Sequence, residues 1–128
     1  MSTNTNINTY SAFLVEDSKI IRDNLIVAMD ELADTQVVAY AESEGEAARW
    51  LREHADSWQI AVIDMLLKQG SGMGVLRACR NRHASQQAVV LTNYADQSIR
   101  DQCMALGADA VFDKSTEIDD FLAFCARH

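Results

Sequence analysis

The order of its apolar runs constrains this chain more than any other feature. Five short aliphatic runs alternate with five segments of helical periodicity, and like never follows like. Residues 11–16 (SAFLVE), 36–41 (QVVAYA), 60–64 (IAVID), 88–92 (AVVLT) and 110–114 (AVFDK) read as strands. Residues 18–32, 43–54, 71–81, 96–106 and 115–127 read as helices. In the first helix Ile21, Leu25, Ala28 and Leu32 lie on one expected stripe, behind Ser18 as N-cap. Ser43 with Glu46 makes a capping box for the second, and Val75, Leu76 and Cys79 give the third its apolar face. Gly107 stands where a left-handed residue closes the fourth helix. No proline interrupts the pattern. Strict strand–helix alternation predicts an α/β fold, a doubly wound parallel sheet with helices on both faces. Right-handed crossovers leave few topologies, and for five units the common order is 2-1-3-4-5.

The 128 residues suit one domain, placed at 10–128 behind a loose polar tail at 1–9. That tail, MSTNTNINT, lacks the apolar segment of a signal peptide. No run approaches the roughly 18 apolar residues that cross a bilayer. The charge is 11 − 19 = −8, an acidic surface that disfavours direct nucleic-acid or anionic-membrane binding and favours divalent cations and basic protein surfaces. Cys79, Cys103 and Cys125 are odd in number and form no C-x-x-C, so they read as buried, reduced structural thiols of a cytoplasmic protein.

The third strand is hydrophobic enough for the centre of a sheet, yet it ends on Asp64. In the expected order, strands 1 and 3 flank the point where the winding reverses, and ligands bind there at the C-terminal strand ends. The residues at or just past those ends are Glu16 and Asp17, Asp64, Thr92 and Lys114. Three carboxylates crowded together repel one another unless a cation compensates them. An open set of oxygen ligands suits Mg²⁺ better than a closed Ca²⁺ cage. Lys114 adds positive charge and Thr92 a hydroxyl donor. Together they make a site for a dianionic group beside a metal.

These segments, LVEDS (14–18), VIDMLL (62–67), GSGMGVL (70–76), VVLTNYAD (89–96) and ALGADAVFDKS (105–115), resemble the receiver domain of two-component response regulators. The resemblance runs from about 11 to 127 and rests on five motifs in the right order. It implies a flavodoxin-like three-layer architecture and a signalling domain rather than an enzyme with a separate substrate. Asp64 is then the phosphoacceptor, taking a phosphoryl group from a sensor histidine kinase or histidine phosphotransfer protein. The implied Mg²⁺ ligands are Asp17, Glu16 directly or through water, Asp64 and the backbone carbonyl of Leu66. Thr92 and Lys114 would hold the phosphoryl oxygens. Helix 1, near Ile20, is the implied kinase-docking face. Helix 4–strand 5–helix 5, with Ile99, Val111 and Phe112, is the implied contact for a downstream protein target or output domain.

Four positions depart from the family pattern. Ser115 follows Lys114 where proline is usual, and a cis bond before serine would cost roughly 2.5–4 kcal/mol, so a trans link is expected. Val111 replaces the usual switch aromatic, which mutes the switch or passes it to another group. Asn93 narrows access beside Thr92, and Lys68 stands where proline is frequent. Leu66 and Tyr94 are bulky at positions that line the path of the hydrolytic water, which predicts slow self-dephosphorylation. Two other readings stand beside this one. A degenerate receiver would act as an interaction module without phosphorylation. A small flavodoxin-like or hydrolase-type enzyme would need a phosphate-cradling loop after strand 1, and that loop is missing. Ending at His128, just past helix 5, the sequence reads as a stand-alone receiver or one excised from a longer regulator.

Overall fold

The computed structural model describes residues 10–127, so the tail expected at 1–9 and His128 lie outside the described residues. The elements are β1 (Tyr10–Val15), α1 (Lys19–Ala33), β2 (Thr35–Ala41), α2 (Glu44–Glu53), β3 (Ile60–Ile63), α3 (Gly72–Ala78), β4 (Gln87–Thr92), α4 (Gln97–Ala105), β5 (Ala110–Asp113) and α5 (Ile118–Ala126). Every strand pair is parallel and the order is β2-β1-β3-β4-β5, the expected one. Side chains of a strand point alternately to the two faces, so each strand feeds two cores. Phe13, Val15, Ala61, Ile63 and Val90 pack with Leu51, Val75, Leu76 and Cys103 from α2, α3 and α4. Leu14, Val62, Val89 and Leu91 pack with Leu25, Met29, Phe121 and Leu122 from α1 and α5. All three cysteines are free and buried.

Capping follows the local sequence. Ser18 accepts from the Ile21 N–H and Ser43 from the Glu46 N–H. The Glu46 carboxylate reaches back to the Glu42 N–H, one residue before the usual partner of a capping box. Gly107 closes α4 at φ +100°.

Three expectations need correction. The buried stripe of α1 is Arg22, Leu25, Met29 and Ala33, whereas Ile21 and Leu32 are exposed. Helical periodicity permits either phase, and the sheet selected the one with a cation in it. The third helix stops at Ala78 because Arg82 folds back on the chain, donating to the Cys79 and Gln86 carbonyls. The fifth helix begins at Ile118 rather than 115 because the Ser115 and Thr116 N–H groups bond Asp113 Oδ1 instead of starting a helix. All described peptide bonds are trans, including the one before Ser115. Trp50 stacks on Phe13 and Trp58 is buried, both as packing residues.

Candidate functional site

Sheet register assembles the site. The Glu16 N–H donates to the Ala41 carbonyl (3.0 Å) and the Asp64 N–H to the Val15 carbonyl (3.0 Å), so pairing continues one residue past β1 and β3. This sets Asp64 beside Glu16. On the other flank the Lys114 N–H donates to the Thr92 carbonyl (2.9 Å), which ties the end of β5 to the end of β4. Non-local hydrogen bonds therefore locate four of the chemical groups before any side-chain contact is counted.

The side chains complete the convergence. One carboxylate oxygen from each of Glu16, Asp17 and Asp64 lies within 4.8 Å of the others. Lys114 Nζ lies 2.7 Å from Glu16 Oε1 and 3.2 Å from Asp64 Oδ2, with all three side chains nearly removed from water. The cluster sums to −3 + 1 = −2, which a divalent cation would balance. Each carboxylate oxygen carries more than one lone pair, so the hydrogen bonds present leave room for a metal. The donor set is oxygen alone, which fits a hard ion. Burial pushes the Asp64 carboxyl up to about 6, and Glu16 adds to the rise; Lys114 and the Leu66 N–H oppose it. Added positive charge would favour the Asp64 anion.

Thr92 is fully buried, and its Oγ1 accepts the Tyr94 N–H (3.2 Å), leaving the hydroxyl proton as a donor. It joins the cluster through its backbone link to Lys114. Leu66 donates its N–H to Asp64 Oδ1 (3.3 Å), and its side chain is exposed. Gly72 packs so closely under the site that a Cβ would overlap the Asp64 carbonyl. It is a packing glycine.

A family model for the response regulator receiver domain matches residues 12–125. This chain belongs to the response regulator receiver domain family. It is 31% identical over 113 residues to the acid tolerance regulatory protein ActR of Rhizobium meliloti, covering 88% of this chain and 56% of that one. The chain thus spans about half the length of the curated relatives it matches. Among solved structures, a DNA-binding response regulator of the LuxR family from Staphylococcus aureus superposes with a TM-score of 0.80 at 16% identity, covering 92% of this chain and 97% of that one. The response regulator domain of Thermotoga maritima CheB gives 0.78 at 16% identity, over 94% and 98%. These two likenesses concern the fold. The receiver domain is a module of two-component signalling, and this one has the flavodoxin-like layering of its relatives.

Sequence reasoning missed three residues of the receiver's frame. Arg22 is buried, donates from Nη1 to the Glu16 carbonyl (3.0 Å) and to Glu42 Oε2 (3.0 Å), and lies 4.1 Å over the Tyr40 ring. Its signal was present: Arg22 is in phase with Leu25 and Met29. Arg100 occupies the region where Val111 replaces a ring. It donates to the Ala95 carbonyl (2.9 Å), the Val111 carbonyl (2.9 Å) and Glu117 Oε1 (2.6 Å), joining the β4–α4 loop, β5 and the start of α5. Glu44, at the start of α2, accepts the Ser71 N–H (2.8 Å). Val111 itself faces the core, so it is a poor candidate for contact with a partner; Ile99 and Phe112 are partly buried. Ile20 is 75% exposed on α1.

Proposed function

We propose that this receiver accepts a phosphoryl group onto Asp64 from the phosphohistidine of a sensor histidine kinase or histidine phosphotransfer protein. The observation that carries this reading is the Glu16–Asp17–Asp64 cluster, in which Glu16 and Asp64 are buried and Asp17 half-buried, with Lys114 paired to both Glu16 and Asp64. An Asp64 oxygen forms a bond to phosphorus as the N–P bond breaks. The electron pair of that bond goes to the histidine nitrogen, and an acyl phosphate results. Phosphoryl transfer needs little more from a protein than positioning and charge stabilisation. Mg²⁺, when bound, supplies charge neutralisation at the transferred oxygens. Glu16, Asp17, Asp64 and the Leu66 carbonyl would hold it. Lys114 leaves part of its ion pairing with Asp64 to meet the new oxygens, and the Thr92 hydroxyl donates to one of them. Asp64 reacts as the anion, so added positive charge raises the reactive fraction.

The chain then signals by contact rather than by turning over a separate substrate. A downstream protein target or an output domain reads α4–β5–α5, and the kinase docks near Ile20 on α1. No described helix is long and apolar enough to cross a membrane. With the acidic charge, this supports a cytoplasmic protein that binds neither nucleic acid nor membrane directly.

Intact-protein mass after incubation with Mg²⁺ and acetyl phosphate tests the reading. Wild type is expected to gain one phosphoryl group, and Asp64→Asn or Mg²⁺-free wild type none. A folded wild type that gains nothing, from acetyl phosphate or from candidate kinases, would establish the interaction-only module instead. Tyr94 and Leu66 are both exposed while their backbone N–H groups bond Thr92 and Asp64. Bulky and two residues past Thr92 and Asp64, they are expected to shield the acyl phosphate from water. Tyr94→Ala is expected to shorten the phosphoryl half-life several-fold; an unchanged decay by time-resolved mass would remove the shielding role.

A further inference from the structure

Loop 66–71 approaches the site from the β3–α3 side and is held at three points. Its mouth is closed by a bridge between Leu66 and Ser71. The Leu66 N–H goes to Asp64 Oδ1, and the Lys68 N–H goes to Asp17 Oδ2 at 2.6 Å. Two of the three site carboxylates are therefore oriented by this loop. The third point is Glu44, on the first turn of α2. Its Oε1 accepts the Ser71 N–H (2.8 Å), and its own N–H donates to the Gln69 carbonyl (3.1 Å). Its side chain fills a notch that exists because two residues are glycine. A Cβ at Gly70 or Gly74 would overlap Glu44 side-chain atoms. At Gly70 the backbone is also left-handed, φ +87°. Glutamate, two glycines and the Ser71 amide thus form one fitted joint between α2 and the loop.

We propose that Glu44 is a positioning residue for the metal site, holding loop 66–71 so that the Leu66 carbonyl and the Asp17 carboxylate sit ready for Mg²⁺. The inference rests on the function proposed above. The joint acts through geometry, since Glu44 is not among the carboxylates that converge on one point. Outer groups that orient metal ligands change affinity by about 10–100-fold when removed.

The test is Mg²⁺ titration by calorimetry on wild type, Glu44→Ala, Glu44→Gln and Gly74→Ala, with amide exchange at Leu66 and Lys68 in metal-free buffer. Glu44→Ala is expected to weaken Mg²⁺ binding about tenfold and to speed exchange at both amides. Glu44→Gln keeps an acceptor oxygen and is expected to recover most of the affinity. A long-range charge effect would instead leave it as weak as alanine, overturning the positional role. Gly74→Ala keeps Glu44 but displaces its carboxylate, so it is expected to weaken Mg²⁺ as well. Alanine ordinarily favours a helix over glycine, so helix damage would not explain that loss. Unchanged affinity and exchange in Glu44→Ala would overturn the proposal and leave the phosphoacceptor reading intact. A wild type that binds no Mg²⁺ would overturn both.

Discussion

In metal-free buffer at pH 8, Asp64→Asn is expected to be more stable than wild type by roughly 3 kcal/mol. The reason is the rise of the Asp64 carboxyl from 3.8 to about 6, led by burial. Each pH unit of such a rise corresponds to about 1.4 kcal/mol. The sign follows from linkage. A carboxyl whose folded value is raised contributes stability that is complete below its ordinary value and is lost as pH rises through the folded one. Wild type and variant should therefore agree below about pH 4 and diverge between there and pH 6. Above that the gap is constant. Asparagine loses no proton, so other groups cancel in the comparison. Millimolar Mg²⁺ is expected to stabilise wild type with the logarithm of its concentration over Kd and so to narrow the gap. Urea midpoints across that pH range, with EDTA or Mg²⁺, measure all of this. A variant no more stable than wild type at pH 8 in EDTA would mean that Asp64 is not a frustrated anion.

Lys114→Met should act in the opposite direction and with greater force. The ammonium touches both Glu16 and Asp64, at 2.7 and 3.2 Å, where little water reaches. Removing one partner of a buried ion pair leaves an uncompensated charge and costs about 3–5 kcal/mol. That is a large share of the roughly 5–15 kcal/mol that holds a domain together. The loss should be greatest at high pH without metal and partly reversed by Mg²⁺, which brings positive charge back to the same oxygens. Denaturant midpoints at pH 8 with and without Mg²⁺ decide it. A loss under 1 kcal/mol would show that Glu16 and Asp64 are better solvated than their burial indicates. Together the two variants bracket the receiver's design: too much negative charge for its own stability, held by one lysine.

Much of this was written in residue patterns. Alternating apolar runs carry their period with them, and right-handed crossovers make the strand order nearly inevitable. The ends of strands 1, 3, 4 and 5 then name Glu16, Asp17, Asp64, Thr92 and Lys114 without coordinates, because a parallel sheet gathers those ends at one edge. Ser18, Ser43 and Gly107 marked their helix ends through hydrogen bonds made within a few residues. What the chain encodes locally is legible in it.

The tertiary structure decided whatever depended on a partner far along the chain. The sheet chose Arg22 over Ile21 for the buried face of α1, because Glu42 and the Glu16 carbonyl were there to receive a guanidinium. Asp113 captured the amides of residues 115 and 116 and delayed α5. Arg100 found acceptors on three elements in the region where Val111 has no ring to turn. Glu44 and Gly74, thirty positions apart in the sequence, share one notch. No periodicity announces such pairs. A side chain's rotamer and partners are set by the space left to it once the backbone has packed, and that space exists only in three dimensions.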